Sequence, residues 1–163
     1  MSYLKISLGI FLALAVSRFV PHPPNFTSLI ALSFYVPVFL GPNYILALIF
    51  SFILTDLVIG FHSLTIFTWG SVFIIGYLSK YFIQNIYFRI LGVFSGVLLF
   101  FLISNFGVWI MGSYGYTFNG LISCYINAIP FLGNTFAATI LYTFIIELIF
   151  KSTSLKSLRK INT

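Results

Sequence analysis

The sequence predicts an all-α, polytopic membrane protein: a single bundle of six transmembrane helices. Three observations carry that expectation. Of 163 residues, 60% are hydrophobic, 20% aromatic and only 6% charged, and the mean hydropathy is +1.10, so there is too little polar surface to coat a soluble globule. Long apolar runs alternate with short turns rich in Pro, Gly and Asn, and at ~20 residues per span the chain holds about six spans with no room for a separate soluble domain. Those runs lack the period-two alternation of outer-membrane strands, and helices satisfy their own backbone hydrogen bonds in lipid.

The first span is expected over about residues 4–20. It ends at Ser17-Arg18-Phe19-Val20-Pro21-His22-Pro23-Pro24-Asn25-Phe26-Thr27, where three prolines remove backbone donors and fix φ, so the segment is an ordered crossing between two helices. Asn25 or Thr27 is placed to cap the second span, 26–40, which Pro37 is expected to kink. Gly41-Pro42-Asn43 then turns the chain into a third span, 44–60, and a short turn near His62 leads to a fourth, 64–79. A polar stretch through Lys80, Gln84, Asn85 and Arg89 precedes the fifth span, 90–106. The longest connection, from Gly107 to Ile129, interleaves glycines with Trp109, Tyr114, Tyr116 and Tyr125, and its half from Leu121 to Ala128 is expected to form a short helix. Pro130 opens the sixth span, 130–150, and residues 151–163 form a basic tail.

The formal charge of +6 reports topology rather than nucleic-acid binding, because the basic residues sit at span ends. With both termini cytoplasmic, Lys5, Lys80, Arg89, Lys151, Lys156, Arg159 and Lys160 lie inside and Arg18 alone lies outside. Lys5, the apolar run after it and Ala13-Leu14-Ala15 also resemble a signal peptide with its cleavage site. Cleavage would break the charge pattern, so the first helix is expected to stay.

This topology gathers polar residues on the outer side. Arg18, His22 and Asn25 come from the first turn, His62 from the second, and Asn105, Trp109, Tyr114 and Tyr116 from the aromatic loop. Asp56 sits about one turn below the outer end of the third span, where an unpaired carboxylate is costly, and Arg18 is its natural partner. That pair either staples two helices or contacts a ligand, and both roles are compatible. His22, His62 and Asp56 have metal-ligand chemistry but no metal-site spacing, so no metal and no cofactor is expected. The aromatic loop is either a lid over a planar ligand or an interfacial belt. Gly9, Ala13 and Ser17 form a small-residue stripe that admits a close helix partner, internal or external, and Gly92 and Gly96 repeat the pattern. Glu147 and Lys151, four apart, are expected to pair locally. The lone cysteine, Cys124, is expected to be an inert buried thiol. No nucleophile, base and orienter set and no ATP motif is present, so the chain is not expected to be an enzyme.

Ser17-Arg18 with Pro21-His22-Pro23-Pro24-Asn25-Phe26-Thr27, then Asp56, Asn105-Phe106-Gly107-Val108-Trp109 and Ala128-Ile129-Pro130-Phe131, resembles an uncharacterised bacterial family of small membrane proteins. That family is similar to the substrate-binding S components of energy-coupling factor (ECF) transporters. The resemblance implies six helices in the bacterial inner membrane and capture of a vitamin or vitamin precursor from outside. It also implies reliance on a membrane coupling subunit with ATPases, docked on the Gly9, Ala13 and Ser17 stripe, and substrate contacts from Val20 to Asn25 and from Gly107 to Ile129. In the nickel and cobalt branch the mature chain begins with a histidine-bearing motif; Met1-Ser2-Tyr3 departs from it, which argues against those metals. The alternative from a different class is an accessory subunit of a larger membrane complex. An intramembrane enzyme using Asp56 and a histidine lacks a coherent constellation.

Overall fold

The computed structural model describes residues 3–152; Lys156, Arg159 and Lys160 of the expected basic tail lie outside them. The described residues form seven α-helices and one short 3-10 helix, with no strand among them. The order is α1 (Tyr3–Phe19), α2 (Leu29–Leu40), α3 (Tyr44–Ile59), α4 (Thr65–Leu78), the 3-10 turn (Ser79–Phe82), α5 (Ile86–Ile110), α6 (Phe118–Asn127) and α7 (Ile129–Ser152). α5 and α7 are long and apolar enough to cross a membrane, while α2 and α3 are apolar but shorter.

α2 occupies the middle of the bundle, touching α1, α3, α4, α5 and α7. Every residue from Leu29 to Val36 is buried, as expected of a helix that is hydrophobic all round. Beside it α1 and α3 pack together and run in the same direction, with Tyr3 next to Tyr44 at their starts and Arg18 next to Asp56 near their ends. At one end the first turn lies near the α3–α4 turn and α6. At the other, Tyr3 stacks on Tyr44 with ring centroids 4.7 Å apart and donates from its hydroxyl to the Asn43 carbonyl.

Three expectations need correction. The second helix starts at Leu29 rather than Phe26, because Asn25 adopts a left-handed conformation (φ 63°) and therefore turns the chain instead of capping it. The loop expected from Asn105 to Tyr116 is shorter: α5 continues through Asn105 and Trp109 to Ile110. Gly107 does not break the helix, and its missing Cβ makes room for the Phe67 ring, which a Cβ there would approach to 2.6 Å. α5 also begins earlier, at Ile86, with the Asn85 side chain accepting from the Phe88 backbone N–H at 3.1 Å, an N-cap that satisfies one of the orphan donors.

Gly92 and Gly96 serve internal packing. A Cβ on Gly92 would lie 2.5 Å from the Phe34 ring of α2, and one on Gly96 would lie 3.1 Å from Ile75 of α4. The stripe on α1 divides. Gly9 and Ala13 are exposed, whereas Ser17 is buried and sits 2.7 Å from the Ser28 hydroxyl, so Ser17 ties α1 to the start of α2 instead of facing outward.

Candidate functional site

The polar residues of the first-turn end are organised by one buried carboxylate. Asp56 is only 1% exposed. Its Oδ1 lies 2.6 Å from Arg18 Nη2, and its Oδ2 accepts from Trp69 Nε1 at 2.7 Å, so α1, α3 and α4 meet on it. The second terminal nitrogen of Arg18 donates to the Thr55 hydroxyl, and the guanidinium lies 4.6 Å over the Phe52 ring. This fork uses both terminal nitrogens in a fixed plane, which an ammonium would not reproduce.

Two adjoining cavities open at this end. One, of about 290 Å³, is lined by Arg18, His22, Asn25, Thr27 and Phe52, with His62, Thr68, Phe100 and Thr135 among its further walls. The other, of about 330 Å³, is lined by Asn25, His62, Ser104, Asn105, Tyr114, Asn127 and Thr135, with Phe100, Phe101 and Phe131 supplying aromatic surface. Asn25, His62, Thr68, Phe100 and Thr135 belong to both. Volumes of this size suit small organic ligands, and mixed aromatic and polar walls are their usual environment.

The elements fix these side chains locally. The first turn is pinned to α7 by Asn134 Nδ2, which donates to the Pro24 carbonyl at 3.0 Å. His22 Nδ1 lies 2.7 Å from the Pro23 carbonyl oxygen, so it donates, and in the neutral ring Nε2 is the acceptor. His62 does the reverse: its Nδ1 accepts from the Leu64 N–H at 3.2 Å, leaving the proton on Nε2 in the neutral ring. Asn105 Nδ2 donates to the Phe101 carbonyl at 2.8 Å, so its oxygen remains available. The Cys124 thiol donates to the Asn105 carbonyl at 3.4 Å, and burial pushes the thiol pKa up, which disfavours the reactive thiolate.

Of the residues expected at the site, Arg18, His22, Asn25, His62, Asn105 and Tyr114 line these cavities. Asp56 stands behind Arg18 and lines neither. Trp109 and Tyr116 also stand outside the lining: Trp109 donates from Nε1 to the Thr117 carbonyl at 3.3 Å, and Tyr116 packs its hydroxyl near Gly112. Among the described residues no cluster of three or more His, Cys, Asp or Glu could hold a metal ion.

Sequence reasoning missed Trp69, Thr135 and the partner of Glu147. Glu147 pairs with Arg89 of α5, not with Lys151: Arg89 Nε and Nη2 reach its two oxygens at 2.7 and 2.8 Å. A signal was present. Thr135, Thr139, Thr143 and Glu147 recur every fourth residue along α7, and all three threonines are buried, which marks an inward polar face on an otherwise apolar helix.

Fold and site together define an all-helical bundle with ligand-sized cavities at one end. The chain matches, over residues 2–160, the model of a family described as a family of unknown function (DUF6580), and it belongs to that family. No curated protein and no solved structure matches it significantly.

Proposed function

We propose that the protein is a polytopic membrane protein that binds a small organic solute on its outer side and passes it to a separate ATP-driven coupling module, as the S components of ECF transporters do. The observation that carries this reading is the pair of adjoining cavities. A buried ion pair holds a guanidinium at the wall of one of them, amides and imidazoles surround both, and aromatic rings offer flat surfaces for a planar solute such as a vitamin or its precursor.

Membrane crossing by α1, α2, α3, α4, α5 and α7 is supported by large apolar side chains that face outward along the bundle. Leu4, Leu8, Leu12 and Val16 do so on α1, Leu46 and Phe50 on α3, Ile66 and Phe73 on α4, Leu91, Leu98 and Leu102 on α5, and Ile140, Phe144 and Leu148 on α7. A soluble monomer rarely exposes so much contiguous apolar surface. α2, with 12 residues, spans only about 18 Å. The rest of its path is the irregular first turn, and non-helical backbone at membrane depth is tolerated where it lines a cavity. Arg18 would then face outward and Lys5, Lys80, Arg89 and Lys151 inward, the charge bias of a chain with a cytoplasmic N-terminus.

Gentle purification of the tagged protein from its native membrane tests the coupling. The expected companions are a membrane coupling subunit and its ATPases, docked on the Gly9 and Ala13 face of α1. Recovery with a large membrane enzyme instead, and with the outer cavities empty, would favour an accessory subunit and overturn the transport reading.

A further inference from the structure

A third cavity, of about 500 Å³, lies at the opposite end of the bundle and is lined by Phe39, Pro42, Ile45, Phe73, Tyr77 and Lys80 among others. We propose that it is a binding site for one anionic phospholipid of the inner leaflet, with an acyl chain along the apolar walls and the phosphate at Lys80. The proposal rests on the membrane reading above but not on the solute reading.

Charge carries the argument. The chain has eight Lys and Arg but only two acidic side chains, and both are consumed inside the bundle, Asp56 by Arg18 and Glu147 by Arg89. No carboxylate side chain of this protein is left for Lys80. Its ammonium is instead held at the rim between two aromatic faces, 4.0 Å from the Tyr77 ring centroid and 5.0 Å from that of Tyr81. Such faces hold a cation in place without neutralising it. The walls are otherwise apolar: the Ser79 hydroxyl donates to the Gly76 carbonyl at 2.7 Å, so it offers the cavity little polarity. A groove with apolar walls, one fixed cation at its mouth and tyrosines at interfacial depth matches a phospholipid whose headgroup is negative.

The test is native mass spectrometry of the full-length protein in neutral detergent, with phosphatidylglycerol and phosphatidylcholine of the same acyl chains in competition. The wild type is expected to retain one phosphatidylglycerol with roughly fivefold preference, the size of one lysine near an anionic surface. Lys80→Gln should reduce that preference to about one while Lys151→Gln, at the same end, leaves it intact. Absence of preference in the wild type overturns the proposal. So does an equal loss in both variants, which would indicate diffuse surface charge, or a dimer free of bound lipid, which would put a second copy in the groove. Partition of the protein into the aqueous phase of a phase-separating detergent would overturn the membrane reading itself, and this site with it.

Discussion

Asp56→Ala is expected to destabilise the protein by about 3–5 kcal/mol, the cost of leaving one member of a buried ion pair without its partner. The carboxylate is 1% exposed and is held by Arg18 and by Trp69, so its removal strands a guanidinium and an indole N–H together. Thermal unfolding in detergent should show the loss as a lower midpoint, on the order of 10 °C. The double variant Arg18→Met with Asp56→Leu removes both charges and should regain most of that stability, because buried pairs often stabilise no better than apolar residues of similar volume. The double variant should nonetheless bind ligand poorly, since Arg18 lines the cavity and is the only Lys or Arg among its described lining residues. Recovery of stability without recovery of binding is the expected result; equal stability of Asp56→Ala and wild type would show that the pair does not hold α1 to α3.

The second large effect is expected at the other ion pair. Glu147→Ala leaves Arg89 buried between α5 and α7, with the Tyr35 hydroxyl beside it, and should also cost about 3–5 kcal/mol. Arg89→Met with Glu147→Leu should restore stability in the same unfolding assay. This pair lies far along α7 from Thr135, which lines the cavities at the first-turn end, so the restored double variant should bind solute as the wild type does. Loss of solute binding in a stable Arg89→Met, Glu147→Leu protein would mean that the Arg89 and Glu147 pair participates in function rather than in packing.

The helices were legible from the sequence where turn chemistry was unambiguous. The expected spans 44–60 and 64–79 differ from α3 and α4 by at most one residue at each end, because Gly41-Pro42-Asn43 and the His62 turn leave the chain few alternatives. Legibility failed where a polar or small residue had an unseen partner. Arg89 read as part of a polar connection because its salt bridge crosses to a residue 58 positions away, and Gly107 read as a helix breaker because the Phe67 ring that needs its space belongs to another helix. The Arg18 and Asp56 pairing was inferable because the predicted topology put no other basic residue on that side. Trp69 was not, since nothing in its local sequence marks the carboxylate 13 positions earlier as its partner. Of the aromatic residues expected over the site, only Tyr114 reaches the cavities, because the extension of α5 carries Trp109 away and turns its indole to Thr117.

The central claim is that the cavities at the first-turn end hold a small organic solute, and mass spectrometry of compounds released from gently purified protein tests it most directly. Thr135 lines both cavities, so Thr135→Phe adds a ring that has this space to enter. Wild-type protein should release one discrete compound at about one per chain, and folded Thr135→Phe protein, with an unfolding midpoint near that of the wild type, should release little or none. The same compound at equal yield from both proteins, or none from the wild type, would contradict the claim.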